Sequence, residues 1–192
     1  MESRTVREEG QKLQVVEYDD KVHFAGNKDY EIVVGENASF EMYRIQNLDD
    51  DAALTQSFNI KQLRDSRVHV VIVSFNGGDL RNNITINIDG EGCETNVYGL
   101  YLTDKKQHVE NYLKVNHNVP HCTSMTKFKG IVDDEASAVF NGHVFVAKDA
   151  QKTDAQQNNS NIILTSKAKI ISPFIKIYSP SGIGASSAGA FS

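Results

Sequence analysis

The strongest constraint on the fold lies in residues 99–161, where short β-type runs alternate with polar turns and no run is long enough for a pair of helices. The runs are GLYL at 99–102, YLKV at 112–115 and HVFV at 143–146. The segment closes on residues 149–161, which carry no large apolar side chain and are rich in Asn and Gln. Such a stretch is either a flexible linker or a stack of polar side chains on a regular β scaffold. Strands on both sides favour the scaffold.

The rest of the chain gives the same type of signal. Further strand patterns lie at 13–18, 30–34, 39–45, 68–75 and 84–88, and the sequence NGGD at 76–79 marks a turn. Only residues 48–54 hint at helical periodicity, and they are few and acidic. These patterns predict an all-β chain.

A weak internal repeat helps to distinguish two all-β architectures, a β-solenoid and a β-sandwich. The words GENA at 35–38, GEGC at 90–93 and DEAS at 134–137 each follow one strand pattern and precede another. Their glutamates, Glu36, Glu91 and Glu135, lie 55 and 44 positions apart. These offsets fit coils of roughly 20–25 residues with irregular insertions, as in a solenoid. A β-sandwich, which also has closely spaced strands, remains the alternative.

Composition excludes several classes of function. The 192 residues suffice for one domain with a sizeable core, and the formal net charge of −5 gives no basic surface for nucleic acid. No apolar run approaches the roughly 20 residues of a membrane span, and the first residues do not resemble a secretory signal. Two cysteines give no disulfide framework. We therefore expect a cytoplasmic protein with neither nucleic acid nor membrane as partner.

Four long words give the chain a family resemblance. KQHVEN at 106–111, NHNVPHCTS at 116–124, FKGIVDD at 128–134 and DAQKTDAQQ at 149–157 resemble the SufB/SufD family of iron–sulfur cluster assembly proteins, and SufD more than SufB. Weaker likeness extends through VGENA at 34–38 to about residue 10. The fold that this resemblance implies is a flattened right-handed parallel β-helix, which agrees with the solenoid inferred from the repeat.

The resemblance also implies a function. It points to a non-catalytic scaffold subunit that acts with a SufB-like subunit and with the ABC-type ATPase SufC, which docks on helices beyond the β-helix. ATP would be bound by that partner, because this sequence contains neither GxGxxG nor GxxxxGK[ST]. We expect no stably bound cofactor, and an iron–sulfur cluster only transiently in the full assembly.

The chain departs from the family towards its ends. We expect a poorly ordered segment at 1–9, a SufD-like β-helix core at 10–178 and a Ser/Gly/Ala-rich tail outside the family at 179–192, without the family's terminal helical regions. The family's cysteine and histidine near the subunit interface have no counterpart after Tyr178, so no residue for cluster chemistry is carried over. An end strand of a solenoid has unpaired backbone groups, and we expect it to pair with a partner or a second copy. This predicted interface consists of Phe174, Ile175, Lys176, Ile177 and Tyr178.

Two other classes of function start from particular residues. His117, His121 and Cys122 could form a metal-binding module, although on an extended strand the two histidines would lie about 13 Å apart unless Pro120 folds the chain back. Polar residues that cap a turn are the commoner meaning of such a cluster. Cys93 and Cys122 could act as thiolates, although free cysteines are more often small buried residues.

The acidic runs 49–51 and 133–135 suggest a carbohydrate-active β-helix enzyme, which would also need a basic residue beside the acids. Solvated loops are the commoner meaning of such runs.

Overall fold

The computed structural model describes residues 6–8, 12–20, 25–171, 175–178 and 189–190, and these residues form strands and turns without any helix. The strands pair in parallel and wind into a β-solenoid of about five coils. This confirms the predicted all-β parallel β-helix, and the β-sandwich alternative was wrong. In the described part of the chain, no helix has the length and apolar character to traverse a bilayer.

The strands alternate between two sheets. Along the chain they are β1 (Val6–Glu8), β2 (Lys12–Asp20), β3 (Ala25–Val34), β4 (Ser39–Asn47), β5 (Ala53–Gln62), β6 (Arg67–Asn76), β7 (Asp79–Ile88), β8 (Glu94–Thr103), β9 (His108–His117), β10 (Thr123–Val132), β11 (Ser137–Val146), β12 (Asp154–Ile163), β13 (Lys169–Ile171), β14 (Ile175–Tyr178) and β15 (Gly189–Ala190). Sheet I has the order β1-β3-β5-β7-β9-β11-β13, with β14 also paired to β11. Sheet II has the order β15-β12-β10-β8-β6-β4-β2. Each coil therefore contributes one strand to each sheet.

Alternation along each strand sets the core. In β6 and β7 every second residue is buried, because successive side chains of a strand point to opposite faces. The inward side chains of both sheets meet in one hydrophobic cluster that includes Phe58, Ile86 and Phe128. The corner between a sheet I strand and the following sheet II strand carries a residue of positive φ in successive coils. These residues are Asn37 (57°), Asp65 (57°), Gly92 (74°), His121 (60°) and Lys152 (58°).

The coils are longer than the sequence repeat suggested. Ala53 pairs with Asp79, 26 residues on, and Ser137 pairs with Lys169, 32 residues on. Each full coil contains two strands of about ten residues and two corners, which exceeds the predicted 20–25 residues. The repeat predicted too short a coil because its third motif, at 134–137, lies at the opposite edge of the solenoid from the other two. Words 35–38 and 90–93 occupy one edge, two coils apart, whereas 134–137 lies between β10 and β11 at the opposite edge.

A polar network runs through the interior. Asn82 of β7 donates from Nδ2 to Asn111 Oδ1 (3.0 Å), and its own Oδ1 accepts from Gln46 (3.0 Å) and Gln56 (3.3 Å). Arg44, fully buried, donates from Nε to Gln56 Oε1 (2.8 Å). Amides on successive coils thus satisfy one another inside the solenoid, where an unpaired polar group would be costly.

Several predicted segments can now be compared with the structure. Residues 48–52 form a corner and Ala53 begins β5, so the hint of a helix at 48–54 was wrong, because Leu48 and Ala52 face the core from a turn. The amide-rich segment lies on the β scaffold, with β12 starting at Asp154. Within segment 1–9 the described residues form β1, and within tail 179–192 they form β15. The other residues of these two segments lie outside the described part.

Candidate functional site

Large apolar side chains are exposed at the C-terminal end of the solenoid. Ile162, Ile163, Leu164 and Ile171 leave 57%, 52%, 59% and 54% of their surface accessible. Ile163 is in register with Val132, which is fully buried in the preceding coil. Ile163 therefore occupies an inward-facing position that no further described rung covers. We call these four residues, together with β13 and β14, the C-terminal rim.

Both sheets end at this rim with open strand edges. In sheet II the two-residue β15 pairs only with Asn158 and Asn159, so no described strand covers the last four residues of β12. In sheet I no described strand lies beyond β13 and β14. The unpaired N–H and C=O groups of such edges are templates for another strand.

Four of the five predicted interface residues lie at this rim. Ile175, Lys176, Ile177 and Tyr178 form β14, which pairs in parallel with residues 142–145 of β11. Phe174 lies outside the described residues. The role of this strand in binding a partner stays a prediction.

The interior of the last coil contains an amide without a hydrogen bond. Gln157 is only 2% exposed, and neither its Nε2 nor its Oε1 has a hydrogen-bond partner among the described residues. The facing strand β11 of sheet I leaves no room beside it, since a Cβ placed on Gly142 would lie 1.5 Å from Gln157 Nε2. In earlier coils the interior amides pair from rung to rung, so the polar ladder is incomplete at the rim.

The histidines of the candidate metal cluster lie in different environments. His117 ends β9 and is fully buried, with its Nε2 2.8 Å from Ser124 Oγ. His121 is exposed in the left-handed region at the corner between β9 and β10, because the chain turns there instead of continuing as an extended strand. Cys122 is buried. Within the described ranges, no three or more His, Cys, Asp or Glu side chains come together as a metal site.

The two cysteines lie at equivalent corners of successive coils, Cys93 between β7 and β8 and Cys122 between β9 and β10. Cys93 donates from Sγ to Leu63 O (3.0 Å), and Cys122 donates to Gly90 O (3.3 Å). The interaction with Cys122 lowers the pKa of Cys93, and the same interaction together with burial raises the pKa of Cys122. At 1% and 0% exposure, neither sulfur is accessible as a nucleophile or an open ligand.

The two acidic runs meet at one corner of the solenoid, next to a lysine. Asp50 forms an ion pair with Lys105 Nζ and accepts a hydrogen bond from Gln107 Nε2 (2.9 Å), and the Lys105 backbone N–H donates to Asp134 Oδ2 (3.0 Å). Asp50, Lys105 and Asp134 line a groove of about 780 Å³. The hydrogen bond from Lys105 lowers the pKa of Asp50, and Asp50 raises the pKa of Lys105. Lys105 is thus a basic residue beside the acids, and its ammonium group is paired with Asp50.

Sequence reasoning missed the exposed part of the rim and the interior amide network around Asn82. The run 162–164 is an uninterrupted apolar triplet directly after the amide-rich segment, and this break in alternation was a usable signal. The network gave no such signal, since the partners of Asn82 lie 26 to 36 residues away from it and meet it only in the correct register.

Comparison with known proteins gives one consistent result. The family model described as "SUF system FeS cluster assembly, SufBD core domain" matches residues 4–181. This range includes the predicted core at 10–178 and extends it slightly at both ends.

Similar curated proteins bear related descriptions. An iron–sulfur cluster assembly SufBD family protein of Synechocystis sp. is 34% identical over 73% of this chain and 31% of its own length. A SufBD family protein of Mycobacterium bovis is 28% identical over 96% of this chain and 48% of its own length. The iron–sulfur cluster assembly protein SufD of Escherichia coli is 33% identical over 53% of this chain and 24% of its own length. The chain thus spans half or less of the length of these relatives.

Proposed function

Because the chain belongs to the SufBD core family of the SUF iron–sulfur cluster assembly system, we propose that it is a non-catalytic, SufD-like scaffold subunit whose C-terminal rim binds a second β-helix subunit. The observation that carries the proposal is Ile163, a core-type position left half exposed at the end of the solenoid. A partner that continues the stack would complete the last coil.

The apolar part of the rim favours association. Burying a whole isoleucine or leucine side chain stabilises by about 1.5–3 kcal/mol, so each half-exposed rim residue could contribute about 1 kcal/mol. Ile162, Ile163 and Leu164 are consecutive, and Ile171 follows seven residues after Leu164. A SufB-like subunit with its own open β-helix end offers the matching surface.

The open strand edges at the rim would also fix the orientation of the partner. A strand that pairs with β13 or β14 would hydrogen-bond the main chain and extend sheet I, as in strand addition between domains. In the absence of a SufB-like subunit, two copies of this chain can pair in the same way. We therefore expect a dimer in sedimentation experiments at high concentration, and a monomer at every concentration would contradict self-association.

The chain's own chemistry supports a scaffold role. Iron–sulfur clusters are held mainly by cysteine thiolates. The chain has two cysteines, and both are buried among core residues. The cluster is accordingly the cargo of the whole assembly, and ATP is bound and hydrolysed by a SufC-like subunit.

Isothermal titration of the chain with a purified SufB-like subunit tests the proposal. Ile163→Asp places a charge where the partner would bury an apolar side chain, and we expect affinity to fall at least about tenfold, or 1.4 kcal/mol. Tyr112→Asp is the matched control, because Tyr112 is a 37% exposed residue on the outer face of sheet I, away from the rim. Unchanged affinity in Ile163→Asp, or an equal loss in the control, would refute the docking site.

A further inference from the structure

The outer faces of the two sheets differ in polarity. On sheet I the outward side chains of β5, β7 and β9 are all polar except Ala53 and Tyr112. On sheet II eight of the fifteen outward side chains of β4, β6 and β8 are aliphatic or aromatic, and they lie towards the C-terminal ends of these strands. The apolar ones are Tyr43, Ile45, Val71, Val73, Phe75, Tyr98, Leu100 and Leu102, which we call the apolar face.

The apolar face is partly exposed, and aromatic rings on its neighbouring strands pack against one another. Phe75 and Leu100 expose 41% and 36% of their surface, and the other members are half-buried. The ring of His69 lies between two tyrosines, with its centroid 5.8 Å from that of Tyr43 and 5.4 Å from that of Tyr98. Aromatic side chains fixed in this way lose little rotamer freedom when a partner binds.

The pattern of β6 is that of a strand covered on both sides. Its sequence VHVVIVSF at 68–75 is apolar at inward and outward positions, as in parallel strands that lie under helices. Its counterpart β7 has Arg81, Asn83, Thr85 and Asn87 at outward positions, which suits an outer face in water. The central strand β6 of sheet II therefore has a sequence suited to a cover, and β7 of sheet I does not.

Two lysines border the apolar face on one side. Lys127 and Lys129 of β10 are exposed, and they are in register with Tyr98 and Leu100 of β8. Neither lysine forms an ion pair with any other described residue. On the other side the face ends with Tyr43 and Ile45 of β4, and the outward residue that precedes them on this strand is Glu41.

We propose that the apolar face binds an amphipathic α-helix of a partner, with carboxylates on the flank of the helix that faces Lys127 and Lys129. A helix packed along β6 and β8 is about 10 Å wide and would cover most of the roughly 30 Å length of these strands. Its apolar stripe would contact Val73 and Leu100, and its acidic flank would meet the two lysines. Two copies of this chain joined face to face would instead have to disrupt the existing contacts of outward carboxylates such as Glu94, which pairs with Arg67, to meet the lysines.

The test uses the full chain and two synthetic peptides. Each peptide has about 18 residues, or ~27 Å of helix, with the same apolar stripe. One carries glutamates along one flank, and the matched control carries lysines at those positions. Binding is measured by fluorescence anisotropy of the labelled peptide. We expect the glutamate peptide to bind wild-type protein at least about tenfold more tightly than the lysine peptide.

Three variants test which charge the peptide prefers and where on the protein it binds. Lys127→Glu combined with Lys129→Glu should reverse the preference between the two peptides, and Leu100→Ser should weaken both at least about tenfold. Circular dichroism verifies that each variant is folded. Ile163→Asp at the C-terminal rim should leave peptide binding unchanged, which separates this site from the proposed subunit contact. Absence of binding, equal affinity for both peptides, or a loss confined to Ile163→Asp would overturn the proposal.

Discussion

Protonation of His117 should make the solenoid lose stability in mild acid. His117 is fully buried, its Nε2 contacts Ser124 Oγ, and its Nδ1 has no hydrogen-bond partner among the described residues. Burial lowers its pKa from 6.5 to about 4. The unfolded chain therefore takes up a proton near pH 6.5, whereas the folded chain does not until about pH 4. Stability must fall as the pH decreases through that window.

The magnitude follows from the difference in pKa. Each pKa unit corresponds to about 1.36 kcal/mol, so the full loss at low pH is about 3 kcal/mol, of which about 2 kcal/mol is lost between pH 7.5 and pH 5. Urea unfolding followed by circular dichroism at several pH values measures it. His117→Gln keeps a polar group that can contact Ser124 and removes the titration, and His121→Gln removes an exposed imidazole as the control. Equal pH slopes in wild type and His117→Gln would refute the reasoning.

Two further predictions concern packing inside the solenoid. Asn82→Ala should lower the free energy of unfolding by about 1–3 kcal/mol, because Gln46 and Asn111 lose their buried partner; urea unfolding that shows no change would mean that water replaces the amide. Gly142→Ala should cost about 1–3 kcal/mol through overpacking against Gln157, and the double variant Gly142→Ala/Gln157→Ala should recover most of it. Additive losses in that double-mutant cycle would contradict the predicted contact.

The sequence predicts those parts of the fold that depend on local pattern. Alternation in β6 and β7 is a property of consecutive residues, so these strands and the all-β class follow directly. The coil length depends on which corners are equivalent. Glu135 resembled Glu36 and Glu91 in its local sequence while belonging to the opposite edge, and this produced coils that were too short.

The candidate site depends on contacts between distant residues. His121 differs from His117 in exposure because the corner takes a positive φ at residue 121, which sequence spacing does not reveal. Ile163 becomes informative only when its register with the buried Val132 is known. The predicted end strand did reach the rim, because a run of alternating residues close to the end of the repeat has few other places to pair.

Hydrogen–deuterium exchange of the chain, alone and in complex with a SufB-like subunit, tests the proposed docking site most directly. The account predicts that complex formation slows exchange at residues 160–164 and in β13 and β14, where the edge amides gain partners. It predicts no change in β5 and β7 at the centre of sheet I. Slowed exchange in those central strands, with the C-terminal rim unaffected, would contradict it.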